Sequence, residues 1–341
     1  MKFTRIRAAT LLLCFATAYL IGEYGLLYIY TMYWDFPQRG MGSDVVKILL
    51  VSDAHVANMQ NDNHWLSMLA RWDADSYLSQ SFAAACRHVK PEMVVFLGDL
   101  MDGGSRATDA DFRLYSERVR RVFSVPDGVS AVYLPGGHDI GGDDGEEMSW
   151  KKVGRFVEEF GKPNLVVNFK ELDFVKINTV IWLRNQGTLN EDETNFLKEF
   201  SLFLGVIDED RRSFHAPIVF SHIPLSHNRE ARDNIFKQLR PRVVFSGHTH
   251  KAKKHKFELE EMSIAHYKGK EEGPLDVTDY TVPTCNYQVA ESGMGYAAAL
   301  LGPTGKAQFY TILWLPPRYP TLFIYIILII IFIAFLCWFR R

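Results

Sequence analysis

Eight side chains in this sequence stand at places where chemistry could be done. Asp53 and His55 sit in "SDAH", Asp99 in "LGD", and His138 and Asp139 in "GGHD". His222 follows in "SHIP", and His248 and His250 close the series in "SGHTH". Each alone has an ordinary structural explanation: a carboxylate ending a strand in a turn, a hydrogen-bonded core histidine, a helix cap. Together they place carboxylate and imidazole groups at the end of five successive apolar runs, a pattern that packing does not require. Mixed carboxylate and imidazole without thiolate suits manganese, iron or zinc better than magnesium or calcium. A carboxylate such as Asp99 can be shared by two ions, and ions about 3.5–4 Å apart suit phosphate-ester cleavage. They activate water, orient the phosphate and neutralise charge on the attacking and leaving oxygens.

The elements that must position these groups are legible. The runs "VVKILLVSDAH", "MVVFLGD", "SAVYLPGGHD", "PIVFSHIP" and "PRVVFSGHTH" are short and rich in Val, Ile and Phe, which predicts buried strands. Helical patterns, "HWLSMLARWDADSYLSQSFAAACRHV" and "DADFRLYSERVRRVFS", lie between the first of them. Strand–helix alternation predicts an α/β domain whose strand carboxyl ends gather ligands. Residues 163–184 read as two more strands, "EDETNFLKEFSLFLGVI" as a helix with an acidic first turn, and the charge-dense stretch after the last motif as a solvated hairpin.

The ends differ from the middle. Residues 321–339 carry no formal charge and are long enough to cross a hydrocarbon core. The N-terminal run admits a cleaved signal peptide ending near "ATA". Its continuation to Trp34, with Tyr28, Tyr30 and Tyr33, favours an uncleaved anchor, provided the lone Glu23 is paired or displaced toward the interface. Lys2, Arg5 and Arg7 on one side and Arg340 and Arg341 on the other predict both tails in the cytoplasm and a luminal or extracellular intervening domain. The expected organisation is a tail and anchor over 1–34, a catalytic domain over 45–316, a second transmembrane helix over 320–339 and a tail at 340–341. Lys and Arg total 38 against 40 Asp and Glu, so no basic field points to nucleic acid. Of the cysteines, Cys86 and Cys285 fall in the domain; "SFAAACRH" reads as a buried helix, which favours free thiols over a disulfide.

The five motifs, in this order and strand context over residues 46–250, resemble those of the calcineurin-like metallophosphoesterases. "HWLSMLARW", "GDLMDGG", "DVTDYT", the two flanking spans and Glu23 further resemble a membrane-bound branch that trims ethanolamine phosphate from GPI-anchor glycans. The resemblance implies a β-sandwich flanked by helices and two divalent ions, manganese before iron or zinc. Asp53, His55 and His250 would hold the first ion, Asp99 would bridge, and His222 and His248 would hold the second. His138 would meet the phosphate and protonate the leaving oxygen, with Asp139 fixing its ring. It also implies residence between the ER and Golgi, GPI-anchored proteins and their cargo receptors as partners, and a role in their ER exit. Related phosphoesters of lipids or glycans, and a non-catalytic adaptor for GPI-linked cargo, are the alternatives.

One residue departs from the family pattern: Gly137 stands where the family has an asparagine ligand. Three readings are open. Water or substrate fills the position; a neighbour from "DIGGDDGEE", Asp143 or Asp144, replaces the amide; or the protein has given up its chemistry.

Overall fold

A computed structural model describes residues 2–37, 44–56, 65–143, 145–170, 172–180, 195, 216–263 and 274–338. Two sheets lie face to face. The first has the order β11-β10-β1-β2-β3, and the second β4-β5-β6-β7-β9-β8. In the first, β1 (Val46–Val51), β2 (Met93–Phe96) and β3 (Ser130–Tyr133) are parallel. Their antiparallel edge is β10 (Gly295–Leu301) and β11 (Ala307–Trp314). In the second, β5 (Leu172–Ile177), β6 (Ile218–Ser221), β7 (Val243–Ser246) and β9 (Pro274–Thr281) are parallel. The antiparallel strands β4 (Leu165–Phe169) and β8 (Lys253–Ser263) close its two edges.

Alternation along the strands explains the layering. Val46, Ile48 and Leu50 of β1 point between the sheets, where they meet Phe174, Phe220 and Phe245. Leu49 and Val51 point the other way, into a second apolar layer under the helices with Leu78, Phe82 and Phe112. Strands buried on both faces must be apolar at nearly every position, which is why the motif runs show no polar alternation. The helices covering them are α3 (Trp65–Val89), α4 (Asp109–Val122), α6 (Trp150–Phe160) and α7 (Arg229–Leu239). Side chains of Thr108, Ser149 and Asn228 cap the last three by accepting from backbone amides. The helix expected over "EDETNFLKEFSLFLGVI" and the turn of the β8–β9 hairpin lie outside the described residues, as do Arg340 and Arg341.

Among the described residues, two helices are long and apolar enough to cross a membrane, over Leu12–Met32 and Arg318–Phe335. The first combines α1 (Lys2–Leu20) and α2 (Leu26–Met32) around a π-helical turn at Ile21–Gly25. The second lies in α8 (Arg318–Trp338). They touch at Gly22, where a β-carbon would overlap the Tyr325 hydroxyl and the Thr321 methyl. The single acidic residue of the first helix is paired. Glu23 accepts from Arg318 and from the Tyr325 hydroxyl, each at 2.8 Å. Arg318 also binds Asp73 of α3, and Tyr287 donates to the same carboxylate at 2.7 Å. The two terminal helices are thus tied to each other and to the domain by one buried cluster. Cys86 and Cys285 are free and buried.

Candidate metal centre

The parallel strands β1, β2, β3, β6 and β7 all run toward one edge of the sandwich, and each ends in a motif. Asp53 and His55 follow β1, Asp99 follows β2, His138 follows β3, His222 follows β6, and His248 and His250 follow β7. Five of these residues adopt the left-handed backbone region that L side chains avoid: Asp53, His55, Asp99, His248 and His250, with φ between 40° and 67°. Such conformations cost roughly 1–3 kcal/mol each and persist where the surroundings impose them. Here they turn the chain sharply off the strand ends, so that side chains from different strands converge.

They converge into two groups that share a carboxylate. Asp53, His55, Asp99 and His250 form the first, and Asp99, His222 and His248 the second; in each, one ligand atom per residue lies within 4.8 Å of all the others. His55 Nε2 stands 3.2 Å from His250 Nε2 and 3.7 Å from Asp99 Oδ2. Two nitrogens bound to one ion at about 2.1 Å lie roughly that far apart. His222 Nε2 is 3.4 Å from Asp99 Oδ2, buried and without a hydrogen-bond partner among the described residues. A buried, unsatisfied ring nitrogen facing a carboxylate is the feature a cation would complete.

Surrounding groups set the tautomers. His222 Nδ1–H donates to the Leu97 carbonyl at 2.8 Å and His250 Nδ1–H to the Val289 carbonyl at 3.2 Å, leaving each Nε2 lone pair for an ion. Burial, the largest influence on each, pulls His55 down to about 3 and His248 down to about 4, so both imidazoles are neutral and able to ligate. Burial alone would lower His222 too. The contact with Asp99 and the charge of Asp53 outweigh it and raise His222 to about 9, so an ion would take its Nε2 by displacing a proton. Gly98 (φ +103) is required by closeness as well, because a β-carbon there would run into the His222 ring.

The role expected of Asp139 is corrected by the structure. Its carboxylate does not orient the His138 ring; it is fully buried and accepts from the backbone amides of Gly136 (2.8 Å), Leu100 (3.0 Å) and Met101 (3.1 Å). Adjacent residues in a helical turn diverge by about 100°, so the neighbour of His138 points into the protein while His138 points out. The His138 ring is held by the Asp102 carbonyl, 3.3 Å from Nδ1, and its amide donates to Asp99 Oδ1 at 2.9 Å. His138 and Asp102 form a third group with His55, at the exposed lip of the site.

Several supporting residues carry no signal in the linear motifs. Thr284 donates to the Asp53 carbonyl (2.7 Å), and Asn286 to those of Ala54 (2.9 Å) and His55 (3.2 Å), bracing the first loop from "TVPTCN". Asp279 on β9 accepts from Leu225 N (3.0 Å) and Ser246 Oγ (2.8 Å), holding the loops of His222 and His248 together. His227 reaches the His248 ring at 6.2 Å between centroids. Asp102 and His227 would have needed the fold to be found, because nothing in the local sequence separates them from ordinary loop residues.

A two-sheet α/β domain with metal-ligating side chains gathered at its strand ends defines a class, the metal-dependent phosphoesterases. The family model for calcineurin-like phosphoesterase matches residues 46–252, and the chain belongs to that family. It is similar to proteins named Metallophosphoesterase 1. The mouse (Mus musculus) protein is 26% identical over 298 residues, covering 74% of this chain and 71% of its own. That of Ailuropoda melanoleuca is 25% identical over 321 residues, covering 78% and 80%. A homolog from Caenorhabditis elegans is 28% identical over 254 residues, covering 66% and 65%. The family uses divalent metals, and the clustered side chains suit them.

Proposed function

We propose that the chain is a two-metal phosphodiesterase that removes ethanolamine phosphate from the mannose of GPI-anchor glycans in the early secretory pathway. The observation that carries the reading is the pair of ligand groups sharing Asp99, with His138 at their edge. Asp53, His55 and His250 would hold one ion, His222 and His248 the other, and Asp99 both. Bound there, manganese would supply Lewis acidity toward the phosphate and an activated water. The protein's own part is positional. His138 Nδ1–H donates to the Asp102 carbonyl, which leaves Nε2 facing the phosphate; as the imidazolium, protonated on both nitrogens, His138 would give its Nε2 proton to the departing sugar oxygen and be left neutral. Asp139 fixes the turn that carries His138, through the three amides it satisfies.

The choice of substrate is supported by the likeness of "HWLSMLARW", "GDLMDGG" and "DVTDYT" to the GPI-glycan branch, and by the two apolar helices that would hold the site beside a lipid-anchored glycan. Lys2, Arg5 and Arg7 before the first span and Arg340 and Arg341 after the second support a luminal domain with both tails cytoplasmic. GPI-anchored proteins and their cargo receptors are the partners on this reading, with ER exit of that cargo as the role. The test is loss of the protein followed by mass analysis of GPI glycans. Ethanolamine phosphate retained in the null cells, and removed again by the wild type but not by His138→Ala, is the expected result. Glycans unchanged in the null, with turnover of another lipid phosphodiester by the purified chain, would move the substrate. Rescue by His138→Ala would make it an adaptor.

A further inference from the structure

We infer that Asp143 takes the place of the missing asparagine as a ligand of the second ion. The inference rests on the two-metal reading above. A β-carbon built on Gly137 would meet Asp143 Cβ at well under 3.0 Å, a separation real β-carbons do not reach. An asparagine at 137 and an aspartate placed as Asp143 is are therefore mutually exclusive, and the glycine is what admits the aspartate. Asp143 Oδ2 then lies 3.7 Å from His248 Nδ1, just outside the second ligand group of Asp99, His222 and His248, whose His222 Nε2 is buried and lacks a hydrogen-bond partner among the described residues.

The loop is built to return the chain to this point. Gly141 (φ +85) and Gly142 (φ +111) turn it back after the His138 helical turn, which is α5 (Gly137–Ile140). Gly141 N donates to the Gly137 carbonyl, Gly142 N to that of Glu146 and Glu146 N to that of Asp143, each at 2.8 Å. Glu146 is anchored by Arg106 at 2.8 Å and Lys152 at 3.6 Å. Asp144, the other residue considered from the sequence, lies outside the described residues. A carboxylate in place of a neutral amide lowers the charge of the loaded centre by one, which favours a hard divalent ion such as manganese.

The experiment is manganese titration of the purified full chain in detergent, read by calorimetry and by elemental analysis after desalting. Wild type is expected to bind two ions, and Asp143→Ala to keep one while the other weakens at least ten-fold. Asp143→Asn, nearly isosteric, guards against misfolding and is expected to fall between them. The pair Gly137→Asn with Asp143→Gly should recover the second ion, because it restores a ligand and clears its space. Two ions bound at wild-type affinity by both Asp143 variants would overturn the inference and leave the two-metal reading intact. A single ion in the wild type would overturn both.

A second inference rests on different residues. We propose that the first two turns of α3 lie in the lipid interface. Trp65, Met68, Leu69 and Trp72 recur at helical spacing on one face, and each is at least half exposed. The contacts of α3 give its direction. His88 meets Trp34, Tyr77 donates to the Pro316 carbonyl at 2.6 Å, and Asp73 meets Arg318, itself bound to Glu23. Passing back along α3, its partners move from just beyond the two terminal helices to positions inside them. Residues 65–72 continue that course alongside the spans, and Trp at a polar–apolar boundary is the usual interfacial anchor.

Met68→Cys labelled with an environment-sensitive fluorophore tests this in the full chain, with Cys14 and Cys337 replaced by serine, reconstituted in phosphatidylcholine vesicles. Quenching by lipid-borne spin labels and shielding from aqueous iodide are expected, with the reverse at Leu114→Cys on α4. Aqueous accessibility at 68 matching that at 114 would overturn the proposal. Shielding from both quenchers would assign the face to a protein and overturn it equally. In a companion variant that keeps Cys14 as the labelled thiol and leaves Met68 unchanged, a label that lipid quenchers do not reach would mean that the span reading itself has failed.

Discussion

Single residues carry energies that can be assigned one at a time. Lys176 is buried on β5 opposite Leu165 and Phe220, with no carboxylate partner among the described residues, and burial pulls it down to about 8 from 10.5. Between pH 8 and 10.5 the unfolded chain holds the proton that the folded one has released, so stability rises with pH in that window. Below pH 8 the full penalty applies, roughly 3 kcal/mol. Lys176→Met is expected to raise the melting temperature at pH 7 and to lose most of that advantage above pH 10. An unchanged difference across that range in thermal scans would contradict it. The two glycines of "GGHD" also separate at this scale: a β-carbon at Gly136 would overlap the Asp99 carboxylate, and one at Gly137 would overlap Asp143.

Single elements hold the site from a distance. Strand β9 carries no ligand, yet Asp279 on it ties the loop after β6 to the end of β7. Burial raises Asp279 to about 6 against the lowering effect of its hydrogen bonds, so its place is secured by those bonds. Asp279→Ala should loosen His222 and His248 together and weaken the second manganese site by about ten-fold, with the first site nearly unchanged. Calorimetric titration separates the two. The helices that flank the domain make a similar case. Arg318 is 5% exposed and serves Glu23 and Asp73 at once. Arg318→Ala would leave two carboxylates without their cation and is expected to cost about 3–5 kcal/mol, seen as a lower melting temperature in detergent. A melting temperature within a degree of wild type would show that water reaches the cluster.

For the whole molecule, convergence of carboxylates and strained backbone turns on one edge has a thermodynamic consequence. Ions that bind only the folded chain stabilise it by mass action, about 4 kcal/mol at a thousand times the dissociation constant. Chelation should therefore lower the melting temperature by about 10 °C, and manganese should restore it. Insensitivity to chelator would mean that the ligand groups stand without ions.

The sequence by itself determined the five motif strands, the β4–β5 pair, helices α3 and α4 and seven of the side chains that cluster, but not strands β10 and β11 or helices α6 and α7. Strands buried on both faces must be written as apolar runs, and ligands at strand ends must be written as polar residues that stop those runs. Asp53, His55, Asp99, His138, His222, His248 and His250 are visible for that reason. It also required Glu23 to be paired or displaced toward the interface, since a charge in an apolar helix is costly. Only the tertiary structure decided which partner: Arg318 is nearly three hundred positions away, and no local pattern encodes such a pairing. The same holds for Asp279, Thr284 and Asn286, whose importance lies in the backbone atoms they reach. It holds for Asp139, which faces amides of a neighbouring loop instead of the adjacent ring. Above all it holds for Gly137. A missing side chain reads in sequence as a loss; in three dimensions it is the space that Asp143 enters.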